Sequence, residues 1–143
     1  MWGFRERGAA PGRPGASTRQ RGNAAEDLAL AHLQAAGLRL VRRNFRTPGR
    51  GGGEIDLIMR EADGTLVFVE VRQRASARAG GAAASVTAAK QRRIVFAARH
   101  FLLPYRSEPP CRFDVVVIDG ALGAGDPPRI GWLRAAFDAG ASF

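Results

Sequence analysis

Two carboxylates on neighbouring predicted strands are the residues of this sequence best placed for chemistry. Segments 54–61 (EIDLIMRE) and 65–74 (TLVFVEVRQR) both alternate in the manner of strands, and they carry Asp56 and Glu70. Two carboxylates side by side on a sheet repel each other and lose hydration, which favours a cation between them. Because Mg²⁺ prefers oxygen ligands and keeps several waters, the pair predicts a site for Mg²⁺ or Mn²⁺ with Asp56 and Glu70 as ligands.

The turn between these strands decides whether the carboxylates meet. If residues 62–64 form a three-residue loop with Gly64 in the left-handed conformation, Asp56 lies directly opposite Glu70. A two-residue turn would instead pair Asp56 with Val71 and place the carboxylates on opposite faces of the sheet. On spacing alone, ion pairs with nearby arginines on a solvated sheet face explain both carboxylates equally well.

Three further side chains are expected near the carboxylate pair. Glu26 shares a helical stripe with Leu30 and Leu33, which places it at the end of a core-facing helix surface. Arg72 points to the same strand face as the second carboxylate and carries a permanent positive charge. Lys90 is the single lysine among 22 basic residues, and it falls on the inward stripe of a second predicted helix. A lysine that extends to solvent from the first helical turn is the alternative.

Hydrophobic periodicity, caps and turn residues divide the chain into helices and strands around the hairpin, in the order of an α/β domain. The other predicted elements are a helix from Thr18 to about Ala36 ending before Gly37, a strand at 38–46, a glycine-rich loop at 47–53, a helix capped by Ser85 or Thr87 and ending at Pro104, an apolar central strand at 111–119, an edge strand near 129–133, and a short amphipathic end containing Phe137.

Length and composition fit one globular domain. The chain has 143 residues, of which 45% are hydrophobic, and we expect the domain to span residues 18–143. Residues 1–17, rich in Gly, Pro and Arg, are expected to form a disordered basic arm. The sequence shows neither a bilayer-length apolar run nor the apolar core of a signal peptide, so we expect a cytoplasmic protein without membrane segments. Cys111 lies in an apolar run and is predicted to be a buried structural thiol.

The formal net charge of +9 makes nucleic acid the first partner class to consider, with a merely solvated surface as the alternative. Several arginines flank the acidic site and could guide a polyanion to it. The predicted nucleic-acid-binding residues are Arg42, Arg43, Arg46, Arg50, Arg74, Arg78, Arg92 and Arg93.

Four motifs in order resemble a known family. GNAAEDLALAHLQAAG, GGGEIDLI, VFVEVRQR and SVTAAKQRRI are similar to the motifs of the YraN family of predicted endonucleases, itself similar to archaeal Holliday-junction resolvases. The resemblance covers about residues 20–137. It implies a restriction-endonuclease-like PD-(D/E)xK core, αβββαβ, with a mixed central sheet flanked by helices. It also implies a metal-dependent endonuclease acting on structured or branched DNA, with Mg²⁺ or Mn²⁺ as cofactor.

Matched motif to motif, the family's acidic residues fall on Glu26, Asp56 and Glu70. The motif's lysine falls on Arg72, which is a departure, because arginine cannot act as a base although it can stabilise phosphate charge. Lys90 could share that role. The alternatives are a non-catalytic nucleic-acid-binding module that keeps the fold and a basic RNA- or ribosome-associated protein. The sequence does not choose between DNA and RNA, and symmetric cutting of a junction would call for a homodimer.

Overall fold

The structure is a computed structural model that describes residues 18–74, 86–120 and 125–140. Its elements are α1 (Thr18–Ala35), β1 (Arg39–Arg46), β2 (Glu54–Arg60), β3 (Leu66–Arg74), α2 (Ala88–Leu102), β4 (Cys111–Asp119) and β5 (Arg129–Phe137). The arm at 1–17, the alternative cap Ser85 and Arg78 lie outside the described residues. The observed order confirms the predicted α/β class and adds a fifth strand to the αβββαβ core.

The five strands form one mixed sheet in the order β1-β2-β3-β4-β5. Only the β3–β4 pair is parallel, because α2 carries the chain across between these two strands. β4 is therefore an interior strand and β5 an edge strand, as predicted. A short amphipathic end containing Phe137 was predicted to follow the edge strand. This prediction is wrong, because β5 itself continues to Phe137. Ala135, with φ of 50°, lies where the β4–β5 register shifts, and this bulge lets the strand continue.

One helix covers each face of the sheet. α2 packs on a core that includes Phe68, and α1 packs on a core that includes Val69. The α1 surface differs from its predicted stripe: Ala25, Ala29 and Leu33 are buried, whereas Glu26 and Leu30 are half-buried. Alanine side chains let the helix backbone approach the sheet closely, which leaves the neighbouring Glu26 at the rim of the contact.

The β2–β3 hairpin has the predicted three-residue loop. Glu61 N–H donates to the Thr65 carbonyl at 2.9 Å, and Gly64 has φ of 95°. The strands pair from Leu57 opposite Val69 down to the turn, which is the register required to bring the two carboxylates together.

Ile55 departs from the predicted alternation of β2. Strict alternation would place it on the same face as Leu57 and Met59, but it packs in the α2-side core, whereas those two residues pack on the α1 side. The described β2–β3 pairs begin only at Leu57, and Ile55 pairs with Phe45 of β1 instead. The two strands of the hairpin thus separate just before the predicted site.

The helix ends follow the predicted signals. Gly37, with φ of 102°, follows α1, and the N–H of Leu38 donates to the Leu33 carbonyl at 3.1 Å. Thr87 caps α2 by accepting from the N–H of Lys90 at 3.1 Å. Neither helix of the described residues is long and apolar enough to cross a membrane.

Candidate active site

A cavity of about 250 Å³ opens where β2 and β3 separate. It is lined by Gly22, Ala25, Glu26, Glu54, Asp56, Glu70, Val71, Gln73 and Lys90. Helix α1, both strands of the hairpin and the first turn of α2 therefore contribute side chains to one pocket. Four of the five predicted catalytic residues line it, and the fifth, Arg72, reaches it through its ion pair with Glu70.

Asp56 occupies the point where the hairpin ladder ends. Its Oδ2 accepts a hydrogen bond from the Val71 backbone N–H at 2.8 Å, so a side chain continues the contact between β2 and β3. Burial raises the pKa of Asp56 to about 7, and the negative charge of Glu70 adds to this rise. The two carboxylates therefore lie together, and their repulsion is only partly compensated by the protein.

Glu70 is held between two cations. Its side chain is 4% exposed, and its Oε2 lies 3.5 Å from Arg72 Nη1 and 3.8 Å from Lys90 Nζ. The prediction that Lys90 points inward is confirmed, although a third of its side chain remains exposed. A strand arginine and a helix lysine thus converge on one carboxylate oxygen.

Glu26 lies in the pocket wall but is shared with β1. Arg43 Nη2 lies 3.4 Å from Glu26 Oε1, and the Asn44 amide nitrogen, turned toward Glu26, lies 3.3 Å from both of its oxygens. Burial raises the pKa of Glu26, and the charge of Asp56 raises it further. Asn44 was missed in the sequence; its φ of 52° is a conformation that asparagine tolerates better than most residues. This arrangement suits Glu26 to an outer supporting position.

The donor chemistry at Asp56 and Glu70 fits a hard divalent cation. Both supply carboxylate oxygens, and Mg²⁺ or Mn²⁺ completes its coordination with water and substrate phosphate where a protein offers one or two carboxylates. Within the described segments, three or more His, Cys, Asp or Glu residues do not gather in a metal-binding group. The pair could therefore hold an ion only in an open site.

A family model described as uncharacterised protein family UPF0102 matches residues 25–118, which include every predicted catalytic residue. The chain belongs to UPF0102. The UPF0102 protein of Polaromonas naphthalenivorans is 65% identical over 125 residues, covering 86% of this chain and 82% of the relative. That of Paracidovorax citrulli is 68% identical over 124 residues, covering 87% of each chain. The family resemblance indicated by the motifs is thereby confirmed.

Among solved structures, a repair endonuclease from Pyrococcus abyssi is similar to this UPF0102 chain with a TM-score of 0.38 and 18% identity. The similarity covers 78% of this chain and 42% of that chain.

The arginines predicted to bind nucleic acid occupy several different settings in this UPF0102 protein. Three form ion pairs: Arg43 with Asp27 at 2.9 Å, Arg46 with Glu54 at 3.6 Å, and Arg74 with Asp119 at 2.7 Å. Arg42 lies 5.3 Å from the centre of the Phe45 ring. Arg50, Arg92 and Arg93 are exposed. Their role toward phosphate stays a prediction, and Arg50, Arg92 and Arg93, which are exposed and form none of these ion pairs, are best placed for it.

Gly53 fixes the glycine-rich loop against α2. A Cβ at this position would collide with the Arg93 carbonyl oxygen and crowd the Ala97 side chain. Thr47 closes the loop, because its Oγ1 accepts the Gly53 N–H at 2.7 Å and its own N–H donates to the Gly53 carbonyl at 3.1 Å. Glycine content alone suggested only a flexible loop, yet Gly53 allows a close backbone contact beside the pocket.

Asp114 is a second buried carboxylate, which the sequence analysis treated only as part of an apolar strand. It is fully buried and accepts hydrogen bonds from Arg112 Nε at 3.0 Å, Trp132 Nε1 at 2.9 Å and the Ala135 N–H at 2.9 Å. Arg112 also pairs with Glu61. The donors come from β4 itself and from β5, so Asp114 joins the edge strand to the sheet and lies outside the candidate site.

Cys111 at the start of β4 is half-buried, less than predicted, because it opens the strand instead of lying in its middle. Its thiol donates to the Pro109 carbonyl at 3.3 Å, and burial raises its pKa. A thiol with a raised pKa is a poor nucleophile at neutral pH, which favours a structural position.

Proposed function

We propose that this UPF0102 protein is an endonuclease that uses Mg²⁺ or Mn²⁺ to hydrolyse phosphodiester bonds in structured or branched DNA. The observation that carries the proposal is the Asp56–Glu70 pair, in which two carboxylates share a pocket and the pKa of Asp56 is raised to about 7. Carboxylates with a strongly raised pKa are concentrated at functional sites, and a divalent cation between these two would relieve their repulsion.

Each of the five predicted catalytic residues has a role in this proposal. Asp56 and Glu70 hold the ion, which when bound would polarise the phosphate and lower the pKa of the attacking water. Arg72 and Lys90, which pair with Glu70, offer their positive charge to the phosphate that enters beside them. Because Arg72 keeps its proton, it stabilises charge and takes no part in proton transfer. Glu26 supports the pocket wall from α1.

The protein's charge supports a polyanionic substrate. The formal net charge of +9 attracts nucleic acid over long range, and the exposed arginines at 50, 92 and 93 lie on the loop and helix that border the pocket. If the substrate is a four-way junction, a homodimer would supply the two sites required for symmetric cutting.

The test of the metal site combines cleavage with calorimetry. Branched, duplex and single-stranded DNA and RNA are incubated with the protein with and without Mn²⁺, and Mn²⁺ binding is titrated separately. Asp56→Asn and Glu70→Gln should each lose Mn²⁺ binding and reduce cleavage by about a hundredfold or more. Glu54→Gln is the matched control, because it removes a carboxylate from the same pocket without touching the pair. Unchanged Mn²⁺ affinity in Asp56→Asn would contradict the proposed ligand set.

Variants of Arg72 distinguish an enzyme from a non-catalytic binding module, because Arg72 occupies the position of the lysine in the family motif that this sequence resembles. Arg72→Ala should lose cleavage while Mn²⁺ still binds, and Arg72→Lys should retain or raise cleavage. If the wild type and Arg72→Lys are both inert on every substrate with Mn²⁺ bound, the binding module is the better account. Preferential binding to RNA in that case would favour the RNA-associated alternative.

A further inference from the structure

A large aromatic side chain is exposed in the middle of α2. This helix buries Ile94, Val95, Ala97 and Ala98 against the sheet. Phe96 lies on the opposite, outer surface and is 46% exposed. Single exposed hydrophobic residues are common on protein surfaces, so the surroundings of Phe96 decide whether its exposure has a use.

Basic and ionisable side chains surround Phe96 on the helix. The positions three and four residues before and after it are its neighbours on a helix surface, and they are Arg92, Arg93, Arg99 and His100. The His100 ring lies 5.6 Å from the Phe96 ring. α2 contains neither Asp nor Glu. An aromatic ring enclosed by positive charge is complementary to a partner that offers both flat rings and negative charge.

Unpaired nucleic acid has that combination, whereas a duplex hides the faces of its bases in the stack. Bases of a single strand stack on exposed aromatic side chains while neighbouring arginines contact the phosphates. We infer that the outer face of α2 binds a single-stranded segment of nucleic acid, with one base stacked on Phe96 and the adjoining phosphates on Arg92 and Arg93. The inference rests on the proposed function for the identity of the partner, and it names the form of the substrate.

The same helix connects this surface to the pocket. Lys90 lies in the pocket and pairs with Glu70, and Arg93 and Phe96 follow at three-residue steps. Each step advances about 4.5 Å along the helix axis and turns about 60° around it. Arg93 therefore lies between Lys90 and Phe96 both along the helix axis and around it. A strand that leaves the pocket beside Lys90 therefore reaches Phe96 over Arg93, about 9 Å along the helix.

The test measures binding without cleavage. Fluorescence anisotropy in EDTA compares a labelled oligothymidylate with a blunt duplex of equal length. Phe96→Ala should weaken binding of the single strand about tenfold and leave duplex affinity within about twofold, because only the single strand stacks on the ring. Leu103→Ala is the matched control, since Leu103 is an exposed aliphatic side chain at the C-terminal end of the same helix and offers no aromatic ring for a base to stack on; it should change neither affinity.

Two further variants test the stacking and the charge separately. Phe96→Trp should retain the single-strand affinity, and the fluorescence of the added indole should be quenched when the oligothymidylate binds. Arg92→Gln and Arg93→Gln should each weaken both probes and reduce the slope of log affinity against log salt by about one. A slope that neither arginine variant changes would overturn the assignment of phosphates to these residues.

The inference is overturned if Phe96→Ala leaves single-strand binding unchanged, if it weakens single strand and duplex equally, or if the Phe96→Trp indole is not quenched. It is also overturned if sedimentation shows that Phe96→Ala converts a dimer into a monomer, because Phe96 would then contact a second copy of this chain. Failure of the proposed nuclease is distinguishable, since cleavage would be absent while selective, Phe96-dependent binding in EDTA persists.

Discussion

Asp56 and Asp114 lie in interior strands of the same sheet, yet the surroundings of their two carboxylates have opposite electrostatic effects. Asp114 is fully buried and accepts hydrogen bonds from two side chains and one backbone N–H. Asp56 accepts one backbone N–H and faces a second carboxylate, Glu70. The charge of Asp114 is balanced by hydrogen-bond donors of the protein, whereas Asp56 has a single backbone donor beside a second negative charge.

The difference separates a carboxylate that supports the fold from one that supports a reaction. A buried charge with fixed partners stabilises the native state only while those partners remain, so breaking the set is costly. A carboxylate placed beside another carboxylate disfavours its own ionised form, and removing it relieves repulsion. Stability measurements should therefore distinguish the two aspartates even before a substrate is known.

The largest effect is expected at Asp114. Asp114→Asn removes the charge that faces Arg112 in a fully buried position and should lower the free energy of unfolding by about 3 kcal/mol or more. Urea unfolding followed by circular dichroism measures this loss. Asp126→Asn, at an exposed aspartate, is the control and should change stability by less than about 0.5 kcal/mol. If Asp114→Asn lowers the free energy of unfolding by less than about 1 kcal/mol, the proposed contrast between Asp114 and Asp56 is wrong.

A smaller effect of opposite sign is expected at Asp56. In EDTA at pH 8, Asp56→Asn should raise the free energy of unfolding by roughly 1–2 kcal/mol, after allowance for solvent screening in the open pocket. The pKa of Asp56 is about 7 in the folded protein against 3.8 ordinarily, so the folded state retains this proton longer than the unfolded state. The contribution of Asp56 to stability should thus fall as pH rises from about 4 to about 7.

The same urea titrations at several pH values in EDTA check this pH dependence. The wild type and Asp56→Asn should agree near pH 4 and diverge as pH rises, with the variant the more stable. Parallel pH profiles for the two proteins would show that Asp56 is not strained by its surroundings, and the contrast with Asp114 would then fail.

The smallest effect concerns one donor to Asp114. Trp132→Phe keeps an aromatic ring beside His32 and Arg134 but removes the indole N–H that donates to Asp114. Because Arg112 and Ala135 still donate, the loss should be about 1 kcal/mol, visible as a lower midpoint of thermal unfolding. A loss as large as that of Asp114→Asn would mean that the three donors act as one unit and not independently.

Features set by short stretches of sequence were predictable. Gly64 marked the hairpin turn and made the three-residue loop one of two possible turns, and the observed register is the one that brings Asp56 and Glu70 together. Thr87 and Gly37 marked helix ends by local hydrogen-bonding chemistry. Helical periodicity put Lys90 on the inward stripe of α2, but it did not exclude a lysine that extends to solvent; the ion pair with Glu70 decides for the pocket.

Features set by contacts between distant elements were not predictable. The face of Ile55 depends on where β2 leaves β3, and alternation carries no signal of that point. The left-handed backbone at Asn44 positions its amide by Glu26, yet asparagine occurs in many other settings. The donors to Asp114 arrive from β5 across a linker, so an aspartate in an apolar strand gave no indication of its partners.

The parallel crossover from β3 through α2 to β4 also sets the order in which the pocket is assembled as the chain folds. The β2–β3 hairpin closes over three residues and can form within microseconds, whereas a parallel pairing must wait for a long loop to close. We therefore expect Asp56 and Glu70 to meet early in folding and Lys90, carried by α2, to arrive late. During that interval the nascent hairpin carries two adjacent negative charges without its helix cation, so protons or divalent ions in the refolding buffer should speed its closure.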